Sequence, residues 1–566
     1  MAMRITYNKQ YNAIEIEFRY DPQIVSAIKT LHGRLYHKEK RIWSVPSYHV
    51  EKLLDTLSFF SPDVSDEVFE LKEKVKLYFE TSLSIKQQEL PSAYRTSLPL
   101  YEFQKKGSAW MTHMKRCLLA DQPGLGKTIQ TISALSNSNL APSHILVIAN
   151  ASNKYDPWEN EIKKWSSEIP LIIGGKAEER SYQWVLWKEY KWIVCNYELI
   201  LRDYDLIKEI KWDAIVCDEA QRISNPSAKT TRAIKSLHAD IRIALTGTPV
   251  SNSPVDIFSI MDWLHPGYLG NYKQFFSNYV VEDNFGNVRA YKNLPKLFSL
   301  LEPFILRRTK EEVLDDFPSL TIQQISFDLS LEEQKIYAAI KTTILDELGG
   351  YIDKIDSKTL ALVPVKMLRL LQTTDHPRLI GEQFEGDSSK LKVLKEHLVT
   401  ILSDIKMLST GQIPIKEYTG DRDKLLIFTQ FKTMAYLLQK ELQNYSPLVI
   451  TGDVLSEDRI KIIEQFNTDP QSRLMILTEA GSTGINLQAA SYVINYDLPW
   501  SIAKLEQRIG RAHRIGQKKN VTVYNLIAKN TIDEYISSVL HKKKKISDDI
   551  LVGEKLDQQD IINLLT

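Results

Sequence analysis

Cysteine is scarce: the chain of 566 residues holds three, Cys117, Cys195 and Cys217, each beside apolar neighbours and far from the others. That excludes a disulfide-stapled scaffold, and the lack of any C-x-x-C pair excludes a cysteine zinc site. Buried free thiols in a reducing compartment are expected. No apolar run approaches the roughly 20 residues that cross a bilayer, and no apolar stretch follows MAMRITYNKQ as in a signal peptide. A soluble, intracellular protein without a membrane partner is the expectation. An excess of one charge sign is also missing. Lys plus Arg number 72 against 71 Asp plus Glu, so no global basic field marks a nucleic-acid binder and any basic surface must be local. Low-complexity tracts and repeats with a period of roughly 20 to 50 residues are absent.

The length exceeds the roughly 250 to 300 residues at which one core stops growing, which implies two large domains and something smaller. Short apolar, β-branched runs fall into two sets: ILVIA, WIVC, AIVC and IRIAL between 145 and 245, then LLIF, PLVI, LMIL, YVIN and VTVY between 425 and 524. Separated by helix-period segments such as IKIIEQF, they read as parallel strands buried on both faces, an α/β fold. Ligands of such sheets gather at the carboxyl ends of the strands. Between the sets, 251 to 420 reads as inserted helices and a connection. The first 50 or so residues differ in kind: AIEIEFRY alternates as a half-buried strand, and Asp21-Pro22 opens a short helix carrying Ile24, Val25, Ile28 and Leu31. GRLYHKEKRIWSVP then interleaves Arg34, Tyr36, Lys38, Lys40, Arg41 and Trp43, which suggests a separate small α+β module.

Three stretches carry chemistry. LLADQPGLGKTIQT at 118 to 131 supplies Gly124, Gly126, Lys127 and Thr128, the parts of a phosphate cradle, but Asp121 stands where the pattern G-x-x-x-x-G-K-[ST] begins with glycine. Read alone, the stretch favours an ATP site and leaves a glycine turn before a helix open. Asp218-Glu219 ends the run AIVC; an acid there can hold the Mg²⁺ water shell and its neighbour polarise the attacking water, although a solvated strand end is the commoner fate of such a pair. QRIGRAHR at 507 to 514 puts Gln507, Arg511 and Arg514 at i, i+4 and i+7, one helix face with two guanidinium groups able to neutralise a transferring phosphate, or else a basic solvated helix.

In order, LYEFQKKG (100 to 107), DQPGLGKT, ALTGTP (244 to 249), PFILRRTKEEV (303 to 313), LIFTQF (426 to 431), GINL (484 to 487) and QRIGRAHRIGQ (507 to 517) resemble the helicase motifs of superfamily two, in its Swi/Snf branch of double-stranded DNA translocases. The resemblance spans about residues 95 to 540 and implies two RecA-like parallel-sheet lobes with helical insertions. Members typically begin the loop Asp-Glu-Met-Gly-Leu-Gly-Lys-Thr, which makes Asp121 normal and leaves Gln122 and Pro123 as the departures. By similarity, Gln104 would read adenine, and Asp121, Gly124, Leu125, Gly126, Lys127, Thr128 and Gln507 would line the ATP site. Thr128 and Asp218 would hold Mg²⁺, Lys127 the phosphates, and Glu219 would activate water. Arg511 and Arg514 would complete the site from the second lobe. Thr246, Gly247, Thr248, Gly484 and Asn486 would couple to DNA or touch its phosphates, which carry no sequence information. Gln221 replaces a histidine frequent in the family, and Ser482 one of two adjacent glycines; the first should be tolerated, and the second bears on loop geometry. The amino-terminal pattern YDPQIVSAIKTLHGRLYHKEKRIWSVP resembles the small HARP (HepA-related protein) domain of annealing helicases, whose Arg34, Arg41 and Trp43 would meet a branched or single-stranded junction. Tyr36 and Trp43 as core residues is the plainer alternative.

The implied layout is a module at 1–60, a helical linker at 61–92, lobe 1 at 93–318 with an insertion near 251–310, lobe 2 at 319–540 with an insertion near 330–420, and a helical tail at 541–566. HKKKK at 541 to 545 reads as a solvated helix end rather than a targeting signal. The implied activity is ATP-dependent movement along double-stranded or branched DNA, without sequence preference, remodelling or reannealing it. A strand-separating helicase, a remodeller displacing proteins from DNA, and an ATP-gated clamp are the competitors. The bare motor suits the cytoplasm of a bacterium or a virus-infected bacterial cell, or a nucleus if the source is eukaryotic.

Overall fold

A computed structural model describes residues 3–87, 98–137, 140–151, 153–247, 255–282, 288–313, 317–347, 357–381, 383–402, 405–408, 411–414, 422–482 and 485–549. The chain divides into two compact units, Met1–Gln122 with Gly126–Thr309, and Pro123–Leu125 with Lys310–Thr566.

The first unit opens with β1 (Arg4–Asn8), β2 (Ala13–Glu17), β3 (Leu35–His37), β4 (Ile42–Pro46) and β5 (Asp63–Val64), in the sheet order β3-β4-β2-β1-β5. Alternation decides the faces: Ile5, Ile14 and Ile16 are fully buried, while their neighbours point to solvent. The short helix Pro22–Ile28 starts where Asp21 accepts the backbone N–H groups of Gln23 and Ile24. The sheet continues past residue 60 through β5, and the stretch expected as a linker is the helix Asp66–Gln87, which packs at both ends. Its Val68 and Leu71 join the module's core. Farther along, the Tyr78 hydroxyl donates to the Met114 carbonyl (2.9 Å), and Lys86 Nζ donates to the carbonyls of Glu302 (2.6 Å) and Ile305 (2.9 Å). The module is therefore fastened to the sheet that follows. Tyr48 sits among Phe79, His265, Tyr268 and Phe304, and His49 stacks on Tyr268 at 4.5 Å between ring centres. Burial there pushes the His265 imidazole down to about 3, so it is neutral at physiological pH.

That sheet holds β6 (Arg116–Leu119), β7 (Ile145–Ala149), β8 (Leu171–Ile172), β9 (Trp192–Asn196), β10 (Trp212–Asp218) and β11 (Ala239–Leu245). After the hairpin β12 (Val280–Glu282) and β13 (Val288–Tyr291) comes β14 (Ile305–Leu306), which closes the order β14-β6-β11-β10-β7-β9-β8. Every pairing is parallel, and β7 and β9 are buried at all positions, as continuous apolar runs require. The insertion near 251–310 is thus helices with a hairpin among them.

The second unit carries β15 (Leu320–Phe327), the hairpin β16 (Ile405–Leu408) and β17 (Gly411–Pro414), then β18 (Leu425–Thr429), β19 (Leu448–Ile450), β20 (Leu474–Thr478), β21 (Tyr492–Asn495) and β22 (Val521–Ala528). Its main sheet runs β15-β22-β21-β18-β20-β19, again wholly parallel. The helix Ser389–Leu402, inside the expected insertion, buries Leu391, Leu394, Leu398 and Leu402 in this unit's core. The unit begins at Lys310, earlier than the expected boundary at 319, because β14 ends the first sheet at Leu306. The HKKKK stretch lies inside the helix Ile532–Asp549 rather than at its end, and residues 550–566 lie outside the described residues. All three cysteines are buried and free. Among the described residues no helix is long and apolar enough to cross a membrane.

Candidate active site

In the first unit, the loop of DQPGLGKT follows β6, the Asp-Glu pair ends β10, and the TGT turn follows β11; β6, β11 and β10 are consecutive in the sheet. Lys127, Thr128, Asp218, Glu219 and Thr246 therefore lie at or past the carboxyl ends of three adjacent strands. Gly126 precedes the helix Lys127–Leu135 in the left-handed region (φ +74°), where a side chain is strained. A Cβ there would also lie 2.7 Å from Gln104 Nε2, which shows how closely this buried glutamine approaches the loop. Gln104 Oε1 accepts the N–H of Tyr101 (3.1 Å), fixing the side chain at its helix start. Thr128, half-buried, is the second residue of the loop's helix, Leu125 is fully buried, and Lys127 Nζ donates to the Asp121 carbonyl (2.8 Å).

Asp121 is completely buried and meets a cation: Arg308 donates from Nε to Oδ1 (3.0 Å) and from Nη2 to Oδ2 (2.5 Å). Gln130 Nε2 donates to the same carboxylate (3.1 Å). Arg308 stood in the quoted PFILRRTKEEV without a role assigned to it.

Asp218 Oδ2 accepts from Asn153 Nδ2 (3.2 Å) and Trp158 Nε1 (3.0 Å), two residues that sequence reasoning missed. Their signal was NKYDPWENEI, where Pro157 sits inside a helical stretch. Glu219 adopts a left-handed backbone (φ +55°), uncommon for a side-chain-bearing residue and concentrated at functional sites. Its Oε2 accepts from Gln221 Nε2 (2.8 Å), and Gln221 Oε1 accepts from Thr246 Oγ1 (2.8 Å). Gln221 thus links the acid to the TGT turn. Gly247 is buried beside it, and Thr248 lies outside the described residues.

In the second unit, the helix Ile502–Ala512 carries Gln507 and Arg511, both half-buried. Arg514 does not share that helix: His513 caps it in a non-helical conformation (φ −89°, ψ 81°), so the i+7 position expected for Arg514 falls in the following turn. Arg511 Nη1 donates to the Ile485 carbonyl (3.3 Å), and its own carbonyl accepts from Leu487 N (3.1 Å), tying the helix to the GINL segment. Within that segment the Asn486 carbonyl accepts from Asn467 Nδ2 (3.0 Å), and Gly484 lies outside the described residues. Ser482 is accommodated in the short helix Glu479–Ser482, donating to the Glu479 carbonyl (3.1 Å). Arg508, unassigned from sequence, is buried and donates to Asn495 Oδ1 (3.3 Å), the Asp497 carbonyl (2.6 Å) and Glu479 Oε1 (3.2 Å). Asp497 in turn accepts from Thr429 Oγ1 (2.6 Å) and Gln430 N. Burial first, and the neighbouring Lys310 second, push the His513 imidazole down to about 4.

On the amino-terminal module, Tyr36 is 46% exposed and its ring lies 5.0 Å from that of Trp43 across β3 and β4. Trp43 is half-buried and packs on the module's core; Arg41 is exposed in the intervening turn (φ +53°), and Arg34 Nη1 donates to the Leu31 carbonyl (2.6 Å).

The SNF2-related domain matches residues 103–379 and the helicase conserved C-terminal domain matches residues 407–516. The chain belongs to the SNF2 family. It is 30% identical over 537 residues to an uncharacterized ATP-dependent helicase of Mycoplasma genitalium, covering 91% of this chain and 48% of that protein. It is 30% identical over 474 residues to the ISWI chromatin-remodeling complex ATPase ISW1 of Saccharomyces cerevisiae, covering 80% of this chain and 40% of that one. The chain therefore spans less than half the length of these two relatives. A Sulfolobus solfataricus SWI2/SNF2 ATPase core in complex with dsDNA is 31% identical, covering 84% of this chain and 99% of that chain, with a TM-score of 0.39.

Proposed function

We propose that this SNF2-family chain is a DNA-dependent ATPase that moves along double-stranded DNA without separating its strands, remodelling or reannealing branched DNA. One observation carries the reading: the phosphate loop, Asp218-Glu219 and Thr246 stand at the ends of adjacent parallel strands, with Thr246, Gln221 and Glu219 joined by two hydrogen bonds. In it, Lys127 and the loop's N–H groups bind the phosphates, Glu219 takes the proton of the attacking water, and Thr246 passes the state of the site to a strand-contacting turn. Arg511 and Arg514 neutralise phosphate charge, and Asn486 and the TGT turn contact DNA phosphates.

The oxygen donors Thr128 and Asp218 suit Mg²⁺. An ion of this kind arrives with the phosphates, keeps several waters and needs only one or two protein oxygens. When bound, such an ion neutralises charge on the transferring phosphoryl group.

Steady-state ATP hydrolysis without DNA, with single strand, plain duplex and a fork, at two salt concentrations, tests the proposal. Stimulation by duplex or fork that weakens as salt rises is expected, because phosphate contacts release counterions. Turnover indifferent to every DNA would sink it, and release of a strand from a blunt duplex would favour the strand-separating alternative. Gln221→Leu removes both hydrogen bonds; it should keep nucleotide affinity but lower DNA-stimulated kcat by about five- to 150-fold, at about 0.5–1.5 kcal/mol for each bond. An unchanged stimulated rate would show that the link carries no signal. Trp43→Ala should weaken fork binding about fivefold or more, since a stacked base is worth about 1–3 kcal/mol, and leave duplex binding near wild type. Equal loss on both DNAs would make Trp43 a folding residue.

A further inference from the structure

We propose that Arg308 is a positioning residue of the nucleotide site, a single guanidinium on which both ends of the ATP cradle are hung; the proposal rests on the ATPase reading above. Besides its two-point grip on Asp121, Arg308 donates from Nη2 to Gln130 Oε1 (2.8 Å) and from Nη1 to the Phe103 carbonyl, with its charge 5.2 Å from the centre of the Phe103 ring. Asp121 begins the phosphate loop, Gln130 lies on the helix that follows it, and Phe103 immediately precedes Gln104, whose amide stands over Gly126. Three positions, 178 to 205 residues before Arg308 in the chain, thus meet its one side chain.

The backbone repeats the connection. Ala120 N donates to the Leu306 carbonyl (2.7 Å) and Gln122 N to the Arg308 carbonyl (3.0 Å), so the strand that delivers Arg308 runs alongside the start of the loop. The space is filled to its limit: a Cβ at Gly107 would collide with Gln130 Oε1 and lie 2.6 Å from Arg308 Nη2, which explains the glycine ending LYEFQKKG. The arrangement also accounts for Asp121 in a glycine's place. A carboxylate with no solvent exposure needs a cation beside it, and a planar fork satisfies both of its oxygens as an ammonium cannot. The first position of the loop is therefore an anchor, and the glycines that must approach phosphate begin three residues later.

ADP reports on this unit's own groups, so the test is its affinity, read by the fluorescence of a ribose-labelled analogue on the full chain at a temperature where circular dichroism shows each variant folded. Arg308→Lys keeps the charge and loses the fork. It should weaken ADP about tenfold, as loss of supporting contacts does around other sites, raise the KM for ATP in parallel, and leave kcat at saturating ATP and duplex affinity much closer to wild type. Asp121→Asn, nearly isosteric, should act in the same direction and carries the measurement if Arg308→Lys does not fold. The double variant Arg308→Met with Asp121→Leu removes both charges; it should recover thermal stability but not ADP affinity. A folded Arg308→Lys or Asp121→Asn that binds ADP as wild type does, or a double variant that regains affinity together with stability, overturns the proposal. Lys127→Ala separates this from failure of the ATPase reading: wild type binding ADP no better than Lys127→Ala would sink both, whereas a deficit in Lys127→Ala alone would sink only the role of Arg308.

Discussion

Glu219→Gln is expected to bind ATP as tightly as wild type and to hydrolyse it about 10²- to 10⁴-fold more slowly, the range a positioned general base contributes. The substitution replaces one oxygen by an NH₂ group and keeps the shape, so what it removes is the ability to accept a proton. The geometry makes that loss hard to compensate. Glu219 is held in a left-handed conformation, a strain of about 1–3 kcal/mol that persists only where the surroundings over-determine it. Its carboxylate is oriented by Gln221, and the neighbouring Asp218 is occupied by Asn153 and Trp158 on one oxygen. No second acid follows in the sequence, which continues Ala220-Gln221. Lys127→Ala should differ in kind, losing turnover because the phosphates lose their cation, with nucleotide affinity falling as well. Single-turnover hydrolysis alongside equilibrium nucleotide binding separates the two. Near-wild-type hydrolysis by Glu219→Gln would assign water activation to another group.

Most strands of both sheets were legible because parallel strands covered on both faces must be continuously apolar, as ILVIA, WIVC, LLIF and LMIL are; β8 and β14, two residues each, were too short to stand out. β15 escaped for the converse reason: it lies at a sheet edge, its LTIQQIS is largely exposed, and its pattern carries no strong period. The loops that bear Lys127, Asp218 and Thr246 were found because strand ends localise chemistry. What holds those residues was not. Arg308 and Asp121 are 187 residues apart, and no spacing rule connects a cation to a carboxylate across that distance. Arg508 was passed over within its own motif, since a face drawn through Gln507, Arg511 and Arg514 leaves it pointing inward, where it gathers Asn495, Asp497 and Glu479. The same drawing erred on Arg514 by assuming that the helix continues past Ala512. Polar residues in a motif were read as reaching for a ligand, whereas several of them fasten the residues that do.

Lys390→Met is expected to lower the stability of the second unit by about 3–5 kcal/mol, the consequence of removing one partner from a buried ion cluster. Lys390 is wholly buried and its Nζ lies 2.9 Å from Asp375 Oδ1 and 2.7 Å from Asp533 Oδ2. Burial works against its ammonium, but the two carboxylates outweigh burial and hold its pKa above the ordinary lysine value. The cluster sits where chain segments cross: Asp533 also accepts from Thr374 Oγ1 (3.1 Å) and Ala528 N (3.1 Å), and the Tyr496 hydroxyl donates to the Asp375 carbonyl (2.9 Å). Methionine preserves much of the volume, so the loss isolates the charge rather than a cavity. pH gives the second readout. Burial already drives the Asp375 carboxyl well above the ordinary aspartate range, with Lys390 pulling it back only in part. A carboxyl raised in the folded state binds more protons there than when unfolded, so its contribution is favourable at low pH and is lost as pH rises through the folded pKa. With the lysine gone the carboxyl rises further, and the deficit of Lys390→Met, followed by denaturant unfolding of the second unit, should grow as pH rises. A deficit under about 1 kcal/mol, or one independent of pH, would mean that the cluster does not hold two carboxylates against one ammonium. The expected result would instead make this buried lysine a condition for the helix Ser389–Leu402 to pack on the sheet whose neighbouring strands carry Arg508's partners.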